Sequence, residues 1–160
     1  SLSMLSSLVI ASFCVAVVSA GDQAVGVKGR LMCGNEPISG AIVQLWDEEI
    51  GFDDLLNTVN SDSNGNFEIT GTDSGFFSIK PIFKIYHKCN KNGVFGILPP
   101  LCYRKAAFTI PSNYISSGTR PNQMYIFGET NLEAKARGEE TKCNPFKGTG
   151  FGDTMAKIFG

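Results

Sequence analysis

The chain has 160 residues, with 14 Lys and Arg against 15 Asp and Glu, for a formal net charge of −1. The basic patch that nucleic-acid binding normally needs is missing, so no nucleic-acid partner is expected. Hydrophobic residues make up 42% of the chain and are interleaved with 18 glycines, which suits one ordinary domain large enough to bury a core.

Residues 1–20 contain no charged side chain. Leu5 to Val18 is mostly apolar, and Val18-Ser19-Ala20 ends the run with small residues. This is the pattern of a secretory signal peptide, and the run is shorter than the roughly 20 apolar residues of a membrane span. A secreted, extracellular protein is expected, with a domain over 21–143 and a loosely ordered tail over 144–160. Cys14 leaves with the signal, and Cys33, Cys89, Cys102 and Cys143 remain. An even number in an oxidising compartment implies two disulfides, for which three connectivities exist. Cys89 and Cys102 flank one short segment and form the natural local pair. Cys33 and Cys143 would then tie the start of the domain to its end. With no Cys-x-x-Cys pair and His87 as the single histidine, neither a metal site nor a cofactor is expected.

Short alternating runs separated by turn signals predict an all-β sandwich. Val25, Val27, Leu31 and Cys33 share one face of a first strand, with Lys28 and Arg30 on the other. Ala41 to Trp46 is apolar on both faces and predicts a strand buried on both sides. Asp47 to Asn57 is acidic and reads as irregular, with one helical turn at most around Asp54-Leu55-Leu56. Ser61 to Gly65 is a turn, because Asn64-Gly65 tolerates positive φ. The spacing of Asn60, Asp62 and Asn64 imitates an EF-hand loop, but Gly71 stands where that loop needs a bidentate Glu. Phe67 and Ile69 alternate with polar residues. Phe77, Ile79, Phe83 and Ile85 are expected to share one face through Pro81, which marks an edge strand or splits the run. Cys102 to Ile110 and Met124 to Leu132 are the last strands expected.

His87 continues the alternation of Phe83 and Ile85 and is expected to point inward as a hydrogen-bonded structural residue. No Gly-x-Ser-x-Gly elbow, phosphate-binding loop, His-Glu-x-x-His or Asn-x-Ser/Thr occurs, so no catalytic residue is assigned and an enzyme is the weaker reading. One segment stands out. Between Cys89 and Cys102 lie Val94, Phe95, Ile97, Leu98 and Leu101, flanked by Lys88, Lys91, Arg104 and Lys105. Apolar residues beside basic ones suit contact with an anionic membrane surface or a protein groove. The bland alternative is a loop that folds back to cap the sandwich.

Several motifs are shared with a known family. Val27-Lys-Gly-Arg-Leu-Met-Cys33, Pro37-x-x-Gly40 and Val43-Gln-Leu-Trp-Asp47 resemble the nematode transthyretin-like family, as do Ser61-Asp-Ser-Asn-Gly-Asn-Phe67 and Gly71. Pro81-x-Phe-Lys-Ile-Tyr-His-Lys-Cys89, Cys102-Tyr-Arg-Lys105, Ile110-Pro111, Gly128, Asn131-Leu132 and Cys143 continue the likeness. The resemblance implies a transthyretin-like (prealbumin-like) sandwich of two antiparallel sheets, secreted by a nematode. Transthyretin itself carries small hydrophobic hormones between subunits. Its enzymatic relatives hydrolyse 5-hydroxyisourate with several histidines and a C-terminal Tyr-Arg-Gly-Ser motif, which this sequence lacks. The function expected first is therefore extracellular binding to a cell surface, anionic lipid or receptor. A carrier of a small hydrophobic ligand comes second, and a 5-hydroxyisourate hydrolase-like enzyme last.

Overall fold

The computed structural model describes residues 21–90 and 102–143. They form two packed sheets. The first contains β1 (Gly21–Cys33), β2 (Glu36–Pro37), β5 (Asn66–Gly75), β8 (Ser116–Ser117) and β9 (Tyr125–Asn131). The second runs in the order β10 (Glu140–Lys142), β7 (Tyr103–Thr109), β6 (Pro81–His87), β3 (Ile42–Glu48) and β4 (Asp53–Asn60). All pairings are antiparallel except that of β9, which runs parallel to β1 with a register shift between Lys28 and Gly29.

The alternation in the sequence explains what faces the interior. Val25, Val27 and Leu31 of β1 and Phe67 and Ile69 of β5 meet Val43 and Leu45 of β3 and Phe83 and Ile85 of β6. An aromatic cluster joins the layers. The Phe83 ring packs edge-on to Phe127 at 4.9 Å and stacks on Phe108 at 5.3 Å, and Phe67 closes the group from β5. Such ring pairs add about 0.5–1.5 kcal/mol each beyond the area they bury. On β3 the outward-facing Ile42, Gln44 and Trp46 are buried too, as expected.

The turn after β4 is a β-turn. Asp62 accepts from the N–H groups of Asn64 (2.9 Å) and Asn66 (2.8 Å), and Gly65 has φ +81°. A Cβ at Gly65 would lie 2.4 Å from the Leu31 carbonyl oxygen, so a side chain is excluded there by contact as well as by conformation.

Three expectations need correction: the disulfide pairing, the acidic stretch and the place of Phe77. The disulfides are Cys33–Cys89 and Cys102–Cys143. Cys33 ends β1 and Cys89 follows β6, so the first bond joins the two sheets. Tyr103 pairs with Lys142 in the ladder, so Cys102 and Cys143 are the next residues at the same end. Adjacency in sequence misled because β10 carries no apolar signal, and without it Cys143 has no place beside β7. The acidic stretch after Trp46 is a hairpin into β4, an edge strand whose exposed face accommodates acidic side chains. Of the two outcomes expected for Pro81 the split holds, and β6, which begins there, is a central strand. As its first residue, Pro81 has no ladder N–H to supply, and its carbonyl accepts from Ile110 at 2.9 Å. Phe77 is 88% exposed rather than inward, because residues 76–80 cross between sheets and the alternation does not continue through them.

Candidate functional site

Of the residues expected to form a contact surface, Val94, Phe95, Ile97, Leu98, Leu101 and Lys91 lie outside the described residues. The stems of their segment are described. Each is held by its own disulfide, one to the end of β1 and the other beside β10. Each bond closes a loop of 56 or 41 residues in sequence separation, which loop-entropy reasoning values at about 4 kcal/mol apiece.

Arg104 departs from its expected role. It is 6% exposed and works inside the fold. Its guanidinium makes a two-pronged contact with Glu139, Nε to Oε1 at 2.5 Å and Nη2 to Oε2 at 2.9 Å. It also donates to the carbonyls of Cys89 (3.0 Å) and Ala134 (3.2 Å). One side chain thus fastens the base of the segment to the β9–β10 connection. Bidentate charge-assisted bonds of this kind are strong and directional. Burial pushes the Glu139 carboxyl upward. The bonds from Arg104 and the Ala136 N–H, with the charge of Arg104, outweigh that and hold it below the usual range.

His87 lies opposite Arg104 in the β6–β7 ladder. It is buried as expected, and Nδ1 accepts from the Cys89 N–H at 3.2 Å. The ring proton therefore sits on Nε2, which has no described partner. Burial, reinforced by the Arg104 charge and only partly opposed by Glu139, lowers its pKa to about 4. Such an imidazole is neutral and already engaged through one nitrogen, and no hydroxyl or thiol is hydrogen-bonded to it among the described residues.

Lys88 and Lys105 remain at the surface of this end. The Lys88 ammonium stands 4.6 Å from the Tyr103 ring centre. Lys105 and Lys142 share Glu140 at 3.4 and 3.1 Å. The Lys142 bond, followed by the Lys105 charge, lowers the Glu140 carboxyl. An open cleft of about 390 Å³ lies beside them, bounded by Cys33, Ile38, His87, Lys88 and Tyr103. Lys88 and Lys105 thus come together with the stems, whereas Arg104 is withdrawn into the frame.

The sequence reading missed a second surface. At the opposite end, Ile50, Phe52, Phe76 and Phe77 are 61–95% exposed. Carboxylate oxygens of Asp47, Glu49 and Asp73 lie within 4.8 Å of one another beside them. The Gly75-Phe76-Phe77 and Ile50-Gly51-Phe52 runs were the available signal, since each places large apolar residues in a turn.

Comparison with known proteins identifies the family by sequence. The model of the Transthyretin-like family matches residues 28–111. Transthyretin-like protein 33 of Caenorhabditis elegans is 37% identical over 123 residues, covering 76% of this chain and 82% of the relative. Transthyretin-like protein 46 of the same organism is 40% identical over 121 residues, covering 74% and 65%. Transthyretin-like protein 5 is 37% identical over 123 residues, covering 76% and 84%. The chain belongs to the transthyretin-like family.

Proposed function

We propose that the chain is a secreted, non-catalytic recognition protein that engages a cell surface through the segment between Cys89 and Cys102. The observation that carries this reading is the double anchorage of that segment. Its two stems are fixed by separate disulfides, and the buried Arg104–Glu139 pair clamps the carbonyl of Cys89 between them. A frame this heavily fastened reduces the ordering that a contact segment must undergo on binding. The segment supplies Val94, Phe95, Ile97, Leu98 and Leu101, with Lys88, Lys91 and Lys105 as cations at its base. Apolar side chains inserted below a lipid headgroup layer, with lysines at headgroup level, are favoured at an anionic surface. The two disulfides themselves fit an oxidising, extracellular setting. The neutral, buried His87 supports a non-catalytic role.

Co-sedimentation with vesicles tests the proposal. The full chain is expected to pellet with phosphatidylserine-containing vesicles more than with phosphatidylcholine vesicles. Phe95→Ser with Leu98→Ser should abolish the difference without changing the melting temperature. Equal, weak recovery with both vesicle types, or binding that survives the double substitution, would sink the lipid version. The carrier reading requires a ligand cavity. The space between the sheets is occupied by the four-phenylalanine cluster, so a carried ligand would need a channel between copies of the chain.

A further inference from the structure

We propose that the end of the sandwich opposite the disulfides is a docking cleft for a cationic polypeptide segment with an apolar anchor, supplied by a protein partner. The cleft of about 370 Å³ lies between the β3–β4 turn and the β5–β6 connection. Ile50, Phe76 and Phe77 form its apolar rim and are 95%, 77% and 88% exposed. Large apolar side chains gathered at one place on a surface mark an interaction site far better than scattered ones do.

These side chains are presented by a held backbone. The Gln23 amide grips the β5–β6 connection from both directions, donating to the Phe77 carbonyl at 2.7 Å and accepting from the Ile79 N–H at 3.2 Å. Asp47 accepts from the Lys80 N–H at 2.7 Å, and the Lys80 carbonyl accepts from Glu48 at 3.0 Å. Across the cleft, the Glu49 N–H donates to the Phe52 carbonyl at 3.1 Å and Gly51 turns at φ +98°, so the tight turn projects Ile50 outward. Pre-positioned apolar groups lose less freedom on binding than loose ones.

Charge selects the occupant. Asp47, Glu48, Glu49 and Asp73 line the cleft against the single cation Lys80. Burial first, then the charges of Asp73 and Asp54, raise the Asp47 carboxyl despite the Lys80 N–H. Slight desolvation and the charges of Asp54, Asp47 and Asp73 raise that of Glu49. In both groups desolvation leads and the neighbouring carboxylates push the same way, while the geometry sets the carboxylate oxygens of Asp47, Glu49 and Asp73 within 4.8 Å of one another. An incoming lysine or arginine beside an apolar side chain would satisfy both halves of the cleft, whereas an anionic lipid surface would be repelled.

Fluorescence anisotropy with the full chain tests this. The probes are labelled peptides Lys-Phe-Lys-Leu-Lys-Phe-Lys, Glu-Phe-Glu-Leu-Glu-Phe-Glu and Lys-Ser-Lys-Ser-Lys-Ser-Lys. The first should bind about tenfold tighter than either other, a difference of about 1.4 kcal/mol. Phe76→Ser with Phe77→Ser, and separately Glu49→Gln with Asp73→Asn, should each remove most of that preference. These side chains project into the cleft, so an unchanged melting temperature shows that the variants are folded. Equal affinity for all three peptides, or a preference that persists in both variants, overturns the proposal. So does a concentration-dependent dimer in sedimentation velocity that Phe76→Ser with Phe77→Ser abolishes, since a second copy of the chain would then be the occupant.

Discussion

At one end of the sandwich, Cys33, Cys89, Cys102 and Cys143 tie together the ends of β1, β6, β7 and β10 and the stems of one segment, and a buried arginine–glutamate pair is bonded to the Cys89 carbonyl beside them. Among the described residues the other end has no disulfide. Four large apolar side chains stand in solvent beside a group of carboxylates, and backbone hydrogen bonds to Gln23 and Asp47 hold the connections. Lys88, Lys105 and Lys142 lie at the first end, two of them paired with Glu140, whereas Asp47, Glu48, Glu49 and Asp73 line the cleft at the second. At the first end the described side chains are tied into the fold, and at the second the large apolar ones stand in solvent. Substitutions should therefore be costly for stability in one place and nearly silent in the other.

The largest effect is expected from Arg104→Ala. It leaves the Glu139 carboxylate buried without its partner, and breaking such a pair costs about 3–5 kcal/mol. Urea denaturation should show that loss, and Glu139→Gln should reproduce part of it. A loss below about 1 kcal/mol, the range of an exposed ion pair, would mean that the pair is solvated and the frame is weaker than described. Cys143→Ser comes next, with about 2–5 kcal/mol lost under oxidising conditions. Peptide mapping of the unreduced wild type should recover Cys33 with Cys89 and Cys102 with Cys143.

The pattern of what could be read from the sequence follows the same division. The strands were legible where period-two alternation coincides with a buried face, as in Val25-Gly-Val27, Phe67-Glu-Ile69 and Phe83-Lys-Ile85. The inward His87 followed from the same rule. β4 and β10 were not legible, because edge strands such as Asp53–Asn60 and Glu140–Lys142 have little to bury and show no apolar period. Missing β10 cost the disulfide connectivity as well. Arg104 was read as a surface cation because its pattern neighbours are basic. Its partner Glu139 lies 35 residues away in a connection without periodicity, and a contact set by tertiary folding leaves no local trace. Phe77 was misassigned because alternation was extended across a crossover between sheets.

A pH effect of intermediate size belongs to the disulfide end. His87 has its pKa lowered from 6.5 to about 4, so the unfolded chain binds its proton more readily than the folded one. Its contribution is complete above about pH 6.5 and is lost as pH falls toward 4, amounting to about 3 kcal/mol at most. Glu139, held low in the fold, adds a loss of the same sign in acid. The urea midpoint should fall steadily over that window. His87→Asn keeps an acceptor for the Cys89 N–H and removes the titration, so its profile should be flatter. An equal slope in both proteins would place the titration elsewhere. The smallest effect is expected at the other end. Phe76→Ser with Phe77→Ser should change stability by no more than about 0.5 kcal/mol, because exposed side chains away from the core contribute little. A larger loss would show that these rings pack into the fold.

Hydrogen–deuterium exchange of the full chain, with and without phosphatidylserine-containing vesicles, tests the division between the ends most directly. The expected result is slowed exchange in peptides spanning residues 88–105, with residues 47–53 and 73–80 unchanged. Slowed exchange at residues 47–53 and 73–80 instead, or none anywhere despite co-sedimentation, would contradict the assignment of cell-surface recognition to the disulfide-framed end.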